Sequence, residues 1–186
     1  MRSAVVLVGE TSSSESIPHV DGRPVVERIV DRIAPAVEDI VVSANAEQAG
    51  AVESALAGTD YRLAVDRVPD GGPVAGIRSG CRVARGRRTF VTGGQFPAVG
   101  AELVTALFDA HRDDGAVAHV EGRPRPLVAV YDTDAAIEAA ETTLGMGSRA
   151  TTDLLDRLDV ATVARSLPPR ADGNRTGQRS TESGST

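Results

Sequence analysis

The residues best placed to do chemistry lie in Asp66–Gly80, DRVPDGGPVAGIRSG, directly after the apolar run YRLAV. Three glycines and two prolines fall within Pro69–Gly76, and apolar residues at helical spacing begin with Val74, Ile77 and Cys81. The order predicted is strand, tight loop, helix start. Glycine lets a backbone approach a bound group closely, and the first N–H groups of a helix are unpaired donors that attract anions. Two readings fit: a phosphate- or nucleotide-binding turn at the carboxyl end of a strand, or an ordinary strand-to-helix connection, which also favours Gly and Pro.

Other reactive side chains are scattered. His19, His111 and His119 lack metal-ligand spacing and read as surface or packing residues. Cys81 falls on the apolar side of its helix with no histidine near it in sequence, so it reads as a small core residue. Arg85, Arg87 and Arg88 read as the end of a helix, where cations meet the negative end of its dipole. Arg123 and Arg125 flank prolines in a turn near the expected cleft, either meeting a ligand's phosphate or simply exposed. Asp113-Asp114 reads as a solvated turn.

The elements that must position these residues alternate along the chain. Ser3–Val8, Glu38–Ser43, Tyr61–Val65 and Arg88–Thr92 are expected strands, being short, apolar and rich in β-branched residues. Helices are expected after the DGRP turn at Asp21–Pro24 (Val25, Ile29 and Ile33 inward, Pro24 at the first position), over Ala46–Leu56, over Val74–Ala84, and over Ala101–His111 with Leu103, Leu107 and Phe108 inward. Such alternation implies a mainly parallel sheet covered by helices on both sides, a three-layer α/β/α domain. Right-handed crossovers then bring the loops at Gly9, Asn45, Asp66–Gly76 and Gly93–Pro97 to one edge, where ligands bind in such folds. Further on, Val117–Val120 and Pro126–Tyr131 read as two strands joined by the GRPRP turn, Asp134–Thr143 and Ser148–Leu158 as helices, and Val160–Val163 as a last strand. No internal repeat is expected. One domain over residues 1–167 is expected, followed by a disordered tail at 168–186 that has almost no apolar residues.

Composition narrows the classes. With 186 residues and 41% apolar content the chain can bury a core, but aromatics are only 3%, so Val, Ala, Leu and Ile must build it. One cysteine excludes an intramolecular disulfide framework and a multi-cysteine zinc site. No apolar run approaches a membrane span and no signal pattern opens the sequence, so a cytoplasmic protein is expected. All 20 basic residues are arginine, against 26 acidic ones, for a net charge of -6. Such a balance disfavours a nucleic-acid-binding face. It fits a GC-rich genome, or a high-salt cytoplasm in which acidic surfaces stay soluble.

DGRPVVERI (21–29), VVSAN (41–45), DRVPDGGPVAGI (66–77), RPLVAVY (125–131) and SRATTDLLDRL (148–158), in that order, resemble the molybdenum cofactor guanylyltransferases, the MobA-like branch of the nucleotidyltransferase fold. The resemblance covers roughly Ser3 to Val163. It implies a Rossmann-like nucleotidyltransferase domain in which a phosphate of molybdopterin attacks the α-phosphate of Mg-GTP and releases pyrophosphate. It implies that Gly9, Asn45, Asp66, Gly72, Pro73 and Gly76 bind the nucleotide, Asn45 and Asp66 beside the guanine and ribose. It also implies that Arg123 and Arg125 serve the pterin cofactor. Three departures touch the chemistry. The first loop reads LVGETSSSES, without the second Gly, the Arg and the Lys of the family pattern. Gln95 stands where that pattern has an Asp that holds Mg²⁺. The closing N-x-N-T-P-E segment has no counterpart. The resemblance therefore implies GTP and Mg²⁺ as cofactors on a degenerate set of catalytic residues. A rival reading from another class is a non-catalytic nucleotide- or cofactor-binding protein that partners an active relative or a molybdoenzyme.

Overall fold

Runs of β-branched residues such as Val5-Val6 and Val41-Val42 are unfavourable in water, and the computed structural model, which describes residues 1–8, 17–67 and 71–164, buries them in one sheet. Strand β1 (Arg2–Leu7) is followed by a small hairpin, β2 (His19–Val20) and β3 (Arg23–Pro24), and by helix α1 (Val25–Ile33). Next come β4 (Asp39–Asn45), α2 (Ala49–Ala55), β5 (Arg62–Asp66), α3 (Gly72–Val83), β6 (Arg88–Gly93) and α4 (Ala101–Ala110). The remainder is β7 (Gly115–Val120), β8 (Arg123–Asp132), α5 (Thr133–Gly145), α6 (Thr151–Leu155) and β9 (Val160–Ala164).

The main sheet has the order β5-β4-β1-β6-β8-β7-β9. Strands β5, β4, β1 and β6 are parallel, β8 runs antiparallel to β6 and β7, and β9 is parallel to β7. All strands of this sheet except β8 thus point the same way, as the alternating pattern predicts. Ala4, Val5 and Val6 of the central strand are fully buried. Helices α3, α5 and α6 pack together on one face, and α1, α2 and α4 on the other. Among the described residues no helix is long and apolar enough to cross a membrane. The expected tail, 168–186, lies outside the described residues.

Helix α3 lies close on the sheet through two glycines one turn apart. A Cβ on Gly80 would sit 2.4 Å from Val5 Cγ1, and one on Gly76 would sit 3.0 Å from Leu7 Cδ2. Cys81, next to Gly80, is buried, and burial pushes its thiol up to about 12. It is the small core residue that its spacing predicts.

Several expectations change. The sequence does hold a short repeat, HVDGRP at 19–24 and HVEGRP at 119–124, and both copies make two-residue hairpin turns. Asp21-Gly22 (φ 51 and 78) and Glu121-Gly122 (φ 52 and 74) are left-handed at both positions, the geometry that matches strand twist. The β7–β8 turn is therefore Glu121-Gly122, and the GRPRP arginines belong to the start of β8. Pro24 stands just before the first helical residue of α1 and inside the hairpin. Val104 of α4 is buried in place of Leu103, which is half-buried. Helix α3 ends at Val83, so Arg85, Arg87 and Arg88 lie beyond it, on the connection and the first residue of β6. The last expected helix shortens to Thr151–Leu155, since Gly147 (φ 79) ends α5 in a left-handed turn. Asp114 is not merely solvated. Its backbone N–H bonds Asp159 O and its Oδ2 accepts from Asp159 N, both at 2.9 Å, tying β7 to the start of β9.

Candidate functional site

Parallel strands place their carboxyl ends together, and here that edge collects the polar residues the sequence singles out. Asn45 and Asp66 are the last residues of β4 and β5 and are register partners, so their side chains share one face of the sheet. Asn45 Oδ1 accepts from the backbone N–H of Gln48 at 2.8 Å, which fixes the turn into α2. That bond uses only the oxygen and leaves the amide's two N–H donors at the strand end. Asp66 Oδ1 accepts from Ser79 Oγ of α3 at 3.2 Å. Strand end and helix are thereby locked at the point where the chain turns into its glycine loop.

That loop enters α3 at Gly72, whose φ of 62 is a left-handed conformation that favours glycine. Pro73 is the second helical residue and has no N–H to leave unsatisfied. The positive end of a 12-residue helix faces the carboxyl edge, with the amides of Gly72 and Val74 as first-turn donors. At Gly76 the side that a Cβ would occupy faces Leu7 and Ser43, so the missing side chain lets α3 approach the sheet closely.

On the other side of β1, the loop after β6 is stitched to the central strand by a hydrogen bond from Gly94 N to Leu7 O at 3.2 Å. Gln95 follows, half-buried, with its Oε1 buried and without a hydrogen-bond partner among the described residues. Two buried hydroxyls, Ser43 Oγ of β4 and Thr92 Oγ1 of β6, share that condition. Arg123 and Arg125 begin β8 beyond the end of β6, on the same edge, the first exposed and the second half-buried. Gly9 lies outside the described residues.

The structure adds a residue to this edge. Arg149, in the turn between α5 and α6, is exposed, and its Cβ is 3.6 Å from where a Cβ on Gly72 would be. The packing of α5 on α3 carries it there. The motif SRATTDLLDRL holds this arginine, but nothing in its spacing tells which loop it meets.

Strand order gives the edge its dimensions. From β5 to β6 there are three strand spacings, about 14 Å, and from β5 to β8 four, about 19 Å. Among the described residues no group of three His, Cys, Asp or Glu side chains is arranged to hold a metal. Mg²⁺ is held mainly through carboxylates, and Gln95 offers a neutral amide oxygen. Gln95 therefore offers no charged ligand for Mg²⁺ at the end of β6.

A mainly parallel α/β sheet with a glycine loop and a helix N-terminus at its carboxyl edge is a Rossmann-like domain that turns an anion-binding end toward a ligand. The family model for the MobA-like NTP transferase domain matches residues 14–161, and the chain belongs to that family. The probable molybdenum cofactor guanylyltransferase of Natronomonas pharaonis is 31% identical over 170 residues, 88% of this chain and 84% of that protein. The protein of the same name from Haloferax mediterranei is 28% identical over 165 residues, 86% of this chain and 79% of that one. Among solved structures, the molybdopterin-guanine dinucleotide biosynthesis protein A of Archaeoglobus fulgidus shares the fold, with a TM-score of 0.69 at 20% identity over 88% of this chain and 83% of that one.

Proposed function

We propose that this chain is a guanylyltransferase that joins GTP to molybdopterin. A phosphate oxygen of molybdopterin attacks the α-phosphorus of GTP. A new P–O–P bond forms, the bond to the β-phosphate breaks, and pyrophosphate leaves with that electron pair. The observation that carries this reading is the layout of the edge: an amide–carboxylate pair at β4 and β5, and an arginine pair about 19 Å away at β8. Two substrates laid end to end need such a span, with the reacting phosphates between them.

In this arrangement Asn45 donates to the guanine and Asp66 accepts from the ribose hydroxyls. The first turn of α3, at Gly72 and Val74, meets the triphosphate through backbone N–H groups. Arg149 adds a cation beside it, and Arg123 and Arg125 hold the phosphate of the pterin. Phosphoryl-type transfer needs the charge on its phosphates neutralised, by Mg²⁺ or by cationic groups. At this edge the helix terminus and the arginines supply positive charge toward those phosphates.

Gln95 favours a second reading, a nucleotide-binding relative without turnover that acts beside an active enzyme or a molybdoenzyme. Incubation with GTP, molybdopterin and Mg²⁺, together with calorimetric titration by GTP, separates the two. Guanine dinucleotide and pyrophosphate support transfer. GTP binding without product supports the second reading, and absence of both overturns the nucleotide site itself.

A further inference from the structure

The amino edge of the sheet, opposite the edge described above, holds an open cleft of about 570 Å³ at the starts of β1 and β6 and the end of α4. Four of its lining residues are arginines, Arg2, Arg85, Arg87 and Arg88, against two aspartates, Asp113 and Asp132. In a chain of net charge -6, this is a local reversal of sign. The two aspartates offset part of it, and neither is ion-paired with Arg85, Arg87 or Arg88 among the described residues. Asp132 Oδ1 is committed to capping α5, accepting from Asp134 N at 3.1 Å and Ala135 N at 3.2 Å. Asp113 lies exposed in a left-handed turn.

The cations differ in how they are held. Arg2 is placed by Asp109, at 3.2 Å, and by stacking its guanidinium 4.8 Å above the Phe108 ring. Arg85, Arg87 and Arg88 are exposed, and among the described residues they make no ion pair. His111 lines the same cleft, 7% exposed, and its buried Nε2 has no hydrogen-bond partner among the described residues. Burial, with Arg88 close by, lowers its pKa, so the imidazole adds no charge of its own.

Guanidinium groups grip phosphate bidentately, and several of them around one concavity match an anion with more than one charge. The volume is that of a small-molecule site, within roughly 300–1,000 Å³. We infer that this cleft is a second anion site, taking a small ligand that carries two or more linked phosphates. It does not depend on the nucleotide edge, from which the six residues of β1 separate it by about 20 Å.

The test is a titration of the full ¹⁵N-labelled chain with sodium tripolyphosphate, followed by NMR. Saturable shifts are expected at the amides of Gly86, Arg87, Arg88 and His111, weakening as KCl is added. The triple variant Arg85→Ser, Arg87→Ser, Arg88→Ser should bind there at least about tenfold more weakly, since each charged hydrogen bond is worth more than about 1.4 kcal/mol. Arg87→Gln, a milder change at an exposed site, should lose part of the affinity and melt at the wild-type temperature. Shifts confined to Gly72–Val74, no saturable shifts, or wild-type affinity in the variants would overturn the inference. Tighter binding of a poly-glutamate peptide than of tripolyphosphate would overturn the phosphate assignment and mark the cleft as a seat for an acidic protein segment.

Discussion

Asn45 and Asp66 stand side by side as the last residues of adjacent parallel strands, each held by a hydrogen bond from a later segment of the chain. Asn45 accepts from Gln48 N, and Asp66 accepts from Ser79 Oγ. A pair so held is pre-organised for a ligand that offers both an acceptor and hydroxyl donors, as a nucleoside does. Asp66→Asn keeps an oxygen for Ser79 but loses the charge. It should weaken GTP binding about tenfold while leaving the melting temperature nearly unchanged. Asn45→Ala should weaken binding similarly and also cost about 1 kcal/mol of stability, because its turn hydrogen bond is lost. Neither change should alter the affinity for inorganic tripolyphosphate. Calorimetry with both ligands checks this, and equal loss for both would remove the pair from the nucleoside end.

Gly80 and Gly76 set how closely α3 lies on β1. An alanine at 80 gains helix propensity of about 1 kcal/mol, but its methyl would sit 2.4 Å from one branch of Val5 and 2.9 Å from the other. Val5 is fully buried in the central strand and cannot turn away. Overpacking of this kind costs about 1–3 kcal/mol or more and outweighs the gain. Gly80→Ala should therefore lower stability by roughly 2 kcal/mol in urea unfolding. Gly76→Ala should be nearly neutral, as it meets the end of a flexible leucine at 3.0 Å. The reverse ranking would show that α3 is not seated as described.

Strand positions were legible because β-branched runs alternate with helical spacing, and VVSAN and YRLAVD close on the polar residues that end β4 and β5. Local pattern also located the first turn of α3. What could not be read is what only tertiary packing creates. The β7–β8 hairpin is expected from the sequence, but its turn is expected on GRPRP and not on the left-handed Glu121 and Gly122, because glutamate gives no local sign of adopting that conformation. Arg149 reaches Gly72 because α5 packs on α3, a relation between segments far apart in the sequence. Arg87 and Arg88 look like helix-end charges until β6 is seen to start beneath them.

Asp39, the first residue of β4, is 8% exposed and sits in a polar cluster at the amino edge. Burial by itself would raise its carboxyl pKa. Hydrogen bonds from Ser3 Oγ, the Arg85 backbone N–H and the Arg62 guanidinium outweigh that and hold it below the usual carboxylate range. A carboxyl lowered in the folded state binds fewer protons folded than unfolded, so stability rises with pH across that window. The contribution is complete above the unfolded value, about 3.9, and is lost as pH falls through the lower folded value. Asp39→Asn should be less stable than the wild type at pH 7 and should lose less stability between about pH 5 and pH 2. Urea unfolding at a series of pH values measures both. Parallel pH profiles would show that Asp39 does not carry this dependence.

Gln95 occupies the loop at the end of β6, next to β1, with an amide oxygen buried and unsatisfied among the described residues. If the transferring phosphates lie at this point of the edge, the wild type lacks the carboxylate that would anchor their counter-ion. Loss of metal anchoring costs several kcal/mol of transition-state stabilisation. At about 1.4 kcal/mol per tenfold, the deficit is on the order of a thousandfold in rate. Gln95→Asp supplies the charge at nearly the same place, with a side chain shorter by one methylene. It should make GTP binding Mg²⁺-dependent before it raises turnover, since the chain also lacks the first-loop lysine of the family pattern and losses at one group of phosphates do not simply add. Asp66 ends β5, three strand spacings along the edge, and accepts from Ser79. Calorimetry of the variant with GTP, with and without Mg²⁺, reads the first effect, and pyrophosphate release reads the second. Rapid transfer by the wild type would place the phosphates elsewhere on the edge and remove Gln95 from the reaction.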